Sequence, residues 1–196
     1  MTLKELGFKH RTDKANHGFL DTYDDYLSKL KNVNRVLEIG VRTGASLRMW
    51  GEYFLHAIID GVDINPDCLK HANGNSIRVF IGDQTDTKFL DTLEPVYDFI
   101  IDDGSHVNKW TVETFNYLFP RLKKGGIYIL EDMQYSYQDL QKVNVREKWS
   151  GMKLVPIIPI QRRETIDDLI IRLSYKVDQG QIESVNIHKG FIVIVK

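Results

Sequence analysis

Five short runs of nearly unbroken apolar residues constrain this chain most: RVLEIG at 35–40, AIIDGVDI at 57–64, IRVFIGD at 77–83, YDFIIDD at 97–103 and GGIYILED at 125–132. Strict alternation would describe strands with one wet face. Continuous Val, Ile and Leu instead describe strands covered on both faces, as in a parallel sheet. Between them, ASLRMWGEYF (45–54) and TVETFNYLFPRL (111–122) carry apolar residues at helical spacing, and Lys123-Lys124-Gly125-Gly126 is expected to punctuate the end of the second helix. Strand and helix in alternation predict an α/β fold with a doubly wound, mostly parallel sheet. Toward the end, RETIDDLIIRLSYKV (163–177) reads as an amphipathic helix. SVNIHKGFIVIVK (184–196) reads as two strands around His188-Lys189-Gly190, an antiparallel pair closing a sheet edge.

A length of 196 residues fits one domain, and neither a repeat nor a Pro/Gly/Ser-rich linker marks a boundary. The stretch from about Tyr135 to Glu164 is the least readable. A net charge of -1 gives no long-range attraction to nucleic acid or an anionic membrane. No apolar run approaches the roughly 18 residues of a membrane span, and the first residues lack a signal-peptide core. With Cys68 as the only cysteine, no internal disulfide or cysteine-rich zinc site is available, and the chain is expected in a reducing cytoplasm.

After the first strand comes Glu38-Ile39-Gly40-Val41-Arg42-Thr43-Gly44, with Ala45 and Ser46 opening a helix. Glycine permits close approach of a ligand, and a helix start offers unpaired N–H donors. The spacing is not the dinucleotide G-x-G-x-x-G. A glutamate where a pyrophosphate would sit repels phosphate and suits a cation such as a sulfonium or ammonium. Asp63, ending the second strand, is placed for ribose hydroxyls, and Asp83, ending the third, for the neighbourhood of an adenine. At the next strand ends, Asp102-Asp103 and Glu131-Asp132 bring four carboxylates toward one corner. Such a cluster requires a proton, a basic partner or a metal, and hard oxygen donors favour magnesium, manganese or calcium. Adjacent strand residues point to opposite faces, which narrows the ligand candidates to Asp103, Glu131 and Asp132. His106, in the tight turn Asp-Gly-Ser-His, is the candidate general base.

These residues resemble the class I S-adenosylmethionine methyltransferases, and within them the metal-dependent sugar and macrolide-sugar O-methyltransferases. The most specific points of likeness are Thr12-Asp13-Lys14 with His17 and Tyr23, LEIGVRTGASLRMW, IDDGSH and LEDMQYSY. The resemblance implies a single Rossmann-like domain over 1–196 with a seven-stranded sheet, residues 1–30 covering the site. It implies S-adenosylmethionine against Glu38, Gly40, Gly44, Ser46 and Asp102, with Asp63 on the ribose and Asp83 beside the adenine. Magnesium or manganese would be held by Asp103, Glu131 and Asp132, and His106 would be the base. Lys14 and His17 are expected to line the cofactor site. Arg11 replaces a usual glycine, Phe19 replaces a common tyrosine, and no large N-terminal accessory domain is expected, which leaves a homo-oligomer and the acceptor size open. The implied activity is methylation of a hydroxyl on a sugar or other small polyhydroxylated metabolite, with neither nucleic acid nor membrane as partner. Three other readings stand beside it: a hydroxylase of the antibiotic-tailoring type, a non-catalytic S-adenosylmethionine-binding protein, and a nicotinamide-dependent oxidoreductase, against which the glycine spacing speaks.

Overall fold

The structure, a computed structural model, describes residues 1–74, 76–133 and 159–196. The five apolar runs form parallel strands: β1 (Arg35–Ile39), β2 (Ile58–Asp63), β3 (Ile77–Ile81), β4 (Tyr97–Asp102) and β5 (Leu122–Leu130). The closing pair, β6 (Ser184–His188) and β7 (Phe191–Val195), is antiparallel, β7 lying against β5. The seven-stranded order is β3-β2-β1-β4-β5-β7-β6, so the chain reverses direction beside β1 and opens a crevice at the strand ends there.

Helices cover both faces. One face carries α1 (Leu3–His10), α2 (Asp13–His17), α3 (Leu20–Leu27) and α4 (Ala45–Tyr53). Their Leu3, Leu20, Tyr23 and Trp50 pack with Val36, Phe99, Ile101, Ile127 and Ile129 of the sheet. The other face carries α5 (Thr87–Leu90), α6 (Asn108–Leu118) and α7 (Pro159–Asp178). Here Leu90, Phe115, Leu118 and Leu173 meet Leu37, Ile39, Ile100, Tyr128 and Leu130. Within one strand the two clusters alternate residue by residue, as a pleated strand buried on both sides requires. That parity decides where each acidic strand end points.

Two boundaries differ from the sequence expectation. The second helix stops at Leu118 and yields to a 3-10 turn at Phe119–Arg121 around Pro120, which cannot donate a helical hydrogen bond. Lys123-Lys124-Gly125-Gly126 then lies within the first half of β5, exposed as far as Gly125 and buried at Gly126, and is not a helix terminus. β5 shifts register against β4 between Tyr97 and Phe99, which accommodates the glycines. The three short N-terminal helices dock through buried Leu3, Leu6, Leu20, Tyr23 and Leu27, and α2 between them also reaches the site. Among the described residues, no helix is long and apolar enough to cross a membrane.

Candidate active site

The site grows from ladder hydrogen bonds that run past the ends of the central strands. Gly40 N–H donates to Val62 O (2.8 Å), Asp103 N–H to Ile39 O (2.9 Å) and Glu131 N–H to Asp102 O (2.9 Å). Three consecutive strands therefore end level, and the turn after β1 lies directly against the turn after β4. Gly40 has φ 97°, and a Cβ there would overlap the carbonyl of Asp103, so glycine is required both for its φ and for that approach. Asp63 braces the turn: its Oδ2 accepts from the N–H groups of Val41 (2.9 Å) and Arg42 (3.0 Å), and its Oδ1 from Asn65 N–H (2.9 Å). Gly44 is the left-handed N-cap of α4, pressed against His71.

A cleft of about 730 Å³ opens over this rim. Its walls include Gly40, Ser46, Asp63, Asp83, Asp103 and His106, joined by Asp132 from the far strand end. Asp83 Oδ1 accepts from the N–H and hydroxyl of Thr85, both at 2.8 Å. The N-terminal segment supplies Arg11, Thr12, Asp13 and Asn16 to the same walls, and Asp13 is ion-paired to Arg42 of the glycine turn at 2.5 Å. Sequence reasoning missed Gln84 and Trp110, which also line the cleft. Gln84 Oε1 accepts from Ser105 N–H (2.8 Å) and shapes the turn carrying His106. Trp110, in the first turn of α6, carried no local signal beyond an aromatic in an amphipathic helix.

Strand parity then divides the acids. Glu38, Asp103 and Glu131 continue the side of β1, β4 and β5 that faces α2 and α4, while Asp102 continues the opposite side. Glu38 is fully buried and accepts from Trp50 Nε1 at 3.1 Å. Asp102, buried on the other side, accepts from Gly104 N–H (3.2 Å) and lies 3.5 Å from Gln84 Nε2. Among the described residues, neither carboxylate reaches the cleft wall. Burial pushes both carboxyls up to about 7; Lys14 opposes the shift at Glu38, and the Gly104 amide opposes it at Asp102.

Lys14 is 1% exposed and reaches from α2 into the three like-facing acids. Its Nζ lies 2.5 Å from Asp103 Oδ2, 2.9 Å from Glu131 Oε1 and 3.5 Å from Glu38 Oε1. Burial alone would lower the lysine, but the charges of Asp103, Glu131 and Glu38 hold it well above its ordinary value. Burial and the charge of Asp103 push Glu131 up to about 8. Lys14 thus meets the site from behind and is not among the residues that line the cleft. His17 is exposed and packs its ring on Phe19, with centroids 5.3 Å apart.

Toward the cleft, one donor atom each from Asp103, His106 and Asp132 lies within 4.8 Å of the others. His106 Nε2 is 3.5 Å from Asp132 Oδ2. Both residues have left-handed backbones, His106 at φ 54° and Asp132 at φ 57°. Non-glycine residues held there store about 1–3 kcal/mol of strain, and the two bends turn both side chains to one corner. The structure thus brings together Asp103, Asp132 and His106 and directs Glu131 to Lys14. The Gln134–Tyr137 part of LEDMQYSY, and residues 135–158 of the least readable stretch, lie outside the described residues.

Residues 37–133 match the family model of a methyltransferase domain. Over 148 residues, covering 69% of this chain and 37% of each relative, the chain is 39% identical to mycinamicin VI 2''-O-methyltransferase of Micromonospora griseorubida and 37% identical to demethylmacrocin O-methyltransferase of Streptomyces fradiae. The mycinamycin-pathway methyltransferase solved with Mg, SAH and mycinamycin VI superposes with a TM-score of 0.80 at 30% identity, over all of this chain and 54% of that one. The chain therefore spans little over a third of the length of the curated relatives it matches. Sheet order, the braced glycine turn, the carboxylate-histidine corner and these likenesses agree, and the chain belongs to the class I S-adenosylmethionine-dependent methyltransferases, similar within them to the O-methyltransferases of macrolide sugars.

Proposed function

We propose that this chain transfers the methyl group of S-adenosylmethionine to a hydroxyl of a sugar or another small polyhydroxylated metabolite, assisted by a divalent metal. The observation that carries the reading is the convergence of Asp103, His106 and Asp132 on the same cleft, beside the glycine turn. In this reading the cofactor lies along Gly40–Ser46, with Asp63 free to accept ribose hydroxyls through its remaining lone pairs and Asp83 near the adenine. Glu38 acts one layer down, tying α4 beneath the turn through Trp50.

The corner fits a hard divalent cation: two partly exposed carboxylates beside an imidazole suit magnesium or manganese. Asp103 and Asp132 would hold it, with Glu131 behind them as a third carboxylate committed to Lys14. When bound, the metal supplies positive charge that lowers the cost of forming an alkoxide on a chelating diol. His106 takes the acceptor proton at its imidazole nitrogen, with Asp132 placed to stabilise the imidazolium. The rim aligns acceptor oxygen and methyl carbon, and the walls from the N-terminal segment exclude water. We place acceptor selection in Arg11, Asn16 and Trp110, with the 135–164 segment, and the protein in the cytoplasm.

Two measurements test the reading. Calorimetric titration should give binding of S-adenosylmethionine and none of NAD. A magnesium-supplemented screen of sugars, nucleotide-sugars, glycosylated metabolites and catechols, read by mass, should reveal a product heavier by one methyl group. Oxygen-dependent hydroxylation of an acceptor in that screen, or cofactor binding with no methylated product, would favour a hydroxylase or a non-catalytic binder.

A further inference from the structure

Lys14 stands apart from the other buried groups. A lysine 1% exposed is rare, and this one ends among three acids on three different strands. It reaches neither the cleft nor solvent, so it touches no reacting atom. Two of its partners belong to the corner proposed for the metal: Asp103 gives it one oxygen, and Glu131 gives it both, at 2.9 and 3.0 Å. Strand parity explains why these partners are shared and why Asp132 is not, since Asp132 continues the opposite side of β5 before its left-handed bend.

We propose that Lys14 is a positioning residue that sets the divalent-metal affinity of the corner, by neutralising Glu131 and one oxygen of Asp103 and leaving Asp103, Asp132 and His106 to face the cleft. The inference rests on the metal reading above. Its physical basis is charge. Three acids, Glu38, Asp103 and Glu131, converge on one buried ammonium, and this fixed internal cation offsets one unit of their negative potential before any ion arrives. A cation nearby repels a divalent ion with twice the force it exerts on a monovalent one, and the dry surroundings weaken screening. Lys14 also ties α2 to the strand ends, so docking of the N-terminal segment and the charge of the corner are set by the same ammonium.

The test is manganese titration of the full chain, free Mn2+ being read by electron paramagnetic resonance, with and without S-adenosylmethionine. Lys14→Met keeps the length and apolar stem but removes the charge, freeing Glu131 and the second Asp103 oxygen. The expected result is Mn2+ binding tighter by about tenfold or more, together with a larger rise in melting temperature on adding Mn2+ than the wild type gives. Lys14→Arg, which keeps the charge, should bind Mn2+ within about threefold of wild type. If Lys14→Met folds only with metal, rescue of its near-ultraviolet circular dichroism by Mn2+ but not by Na+ of equal ionic strength is the expected result. Lys14→Gln, which removes the charge and leaves a shorter polar side chain, then carries the affinity measurement. Equal or weaker Mn2+ binding in Lys14→Met and Lys14→Gln, or no rescue by Mn2+, would overturn the proposal. Absence of Mn2+ binding in wild type and variants alike would instead overturn the metal reading itself.

Discussion

Gly40→Ala puts the geometry of the rim at risk with one added methyl group. Gly40 has φ 97°, and the new Cβ would overlap the carbonyl oxygen of Asp103 and come 2.8 Å from its carbon. The backbone conformation costs an L-residue about 1–2 kcal/mol. The overlap is with main chain held at 2.9 Å to Ile39 O, so a flexible side chain cannot absorb it, and overpacking of this kind costs about 1–3 kcal/mol more. The sum of about 2–5 kcal/mol corresponds, for a chain of this size, to a melting temperature lower by roughly 4–20 °C. Gly180→Ala supplies the control: φ is 66° there, but no atom lies within 4 Å of the added carbon, so only the conformational part, about 1–2 kcal/mol, should appear. Differential scanning calorimetry of both variants gives the stabilities, and calorimetric titration gives the affinity for S-adenosylmethionine. Gly40→Ala should lose both stability and cofactor affinity, Gly180→Ala a little stability alone. Equal losses in the two variants, with cofactor binding intact, would refute the close approach of the two turns.

His106→Ala should bind S-adenosylmethionine normally and lose about 10²–10⁴-fold in methyl transfer; a smaller loss in single-turnover assays would remove His106 from the proton transfer. Glu38 is held up to about 7 by burial, against 4.5 for an ordinary glutamate. The native protein therefore keeps a proton that the unfolded chain releases. The associated stability is present below about pH 4.5 and is lost as pH rises to about 7, with an upper bound of about 3 kcal/mol. Urea unfolding of Glu38→Gln, which keeps an acceptor for Trp50, should vary less between pH 5 and 8 than wild type. A difference between the two that is constant over that range would show that Glu38 is ionised throughout.

The sheet was legible because continuous apolar runs leave a strand few alternatives, and each acidic pair was readable as a strand end. The start of β5 was not: Lys123-Lys124-Gly125-Gly126 carries every local sign of a helix terminus, and only pairing with β4 makes it strand. That Asp103, Asp132 and His106 come together was readable from residue type and position at the strand ends. Their separation from Glu131 required knowing that a lysine distant in sequence shares its face. Lys14 was expected to line the cleft, and its ammonium instead meets Asp103, Glu131 and Glu38 behind the cleft wall. Alternation along β4 separated Asp102 from Asp103 in the sequence already, and in the structure Asp102 lies on the opposite side of the sheet, away from the cleft walls. Gln84 and Trp110 act through tertiary neighbours, for which one sequence holds no signal.

In the proposed function the Asp103–His106–Asp132 corner makes methyl transfer to oxygen depend on a divalent ion. The direct measurement uses S-adenosylmethionine with a deuterated methyl group and a diol-bearing acceptor from the screen, following label in product by mass spectrometry. Transfer should cease in chelator, return on adding excess Mg2+, and be nearly absent in Asp132→Asn at the same Mg2+ concentration. Undiminished labelling in chelator, by a protein that binds the cofactor normally, would contradict the account.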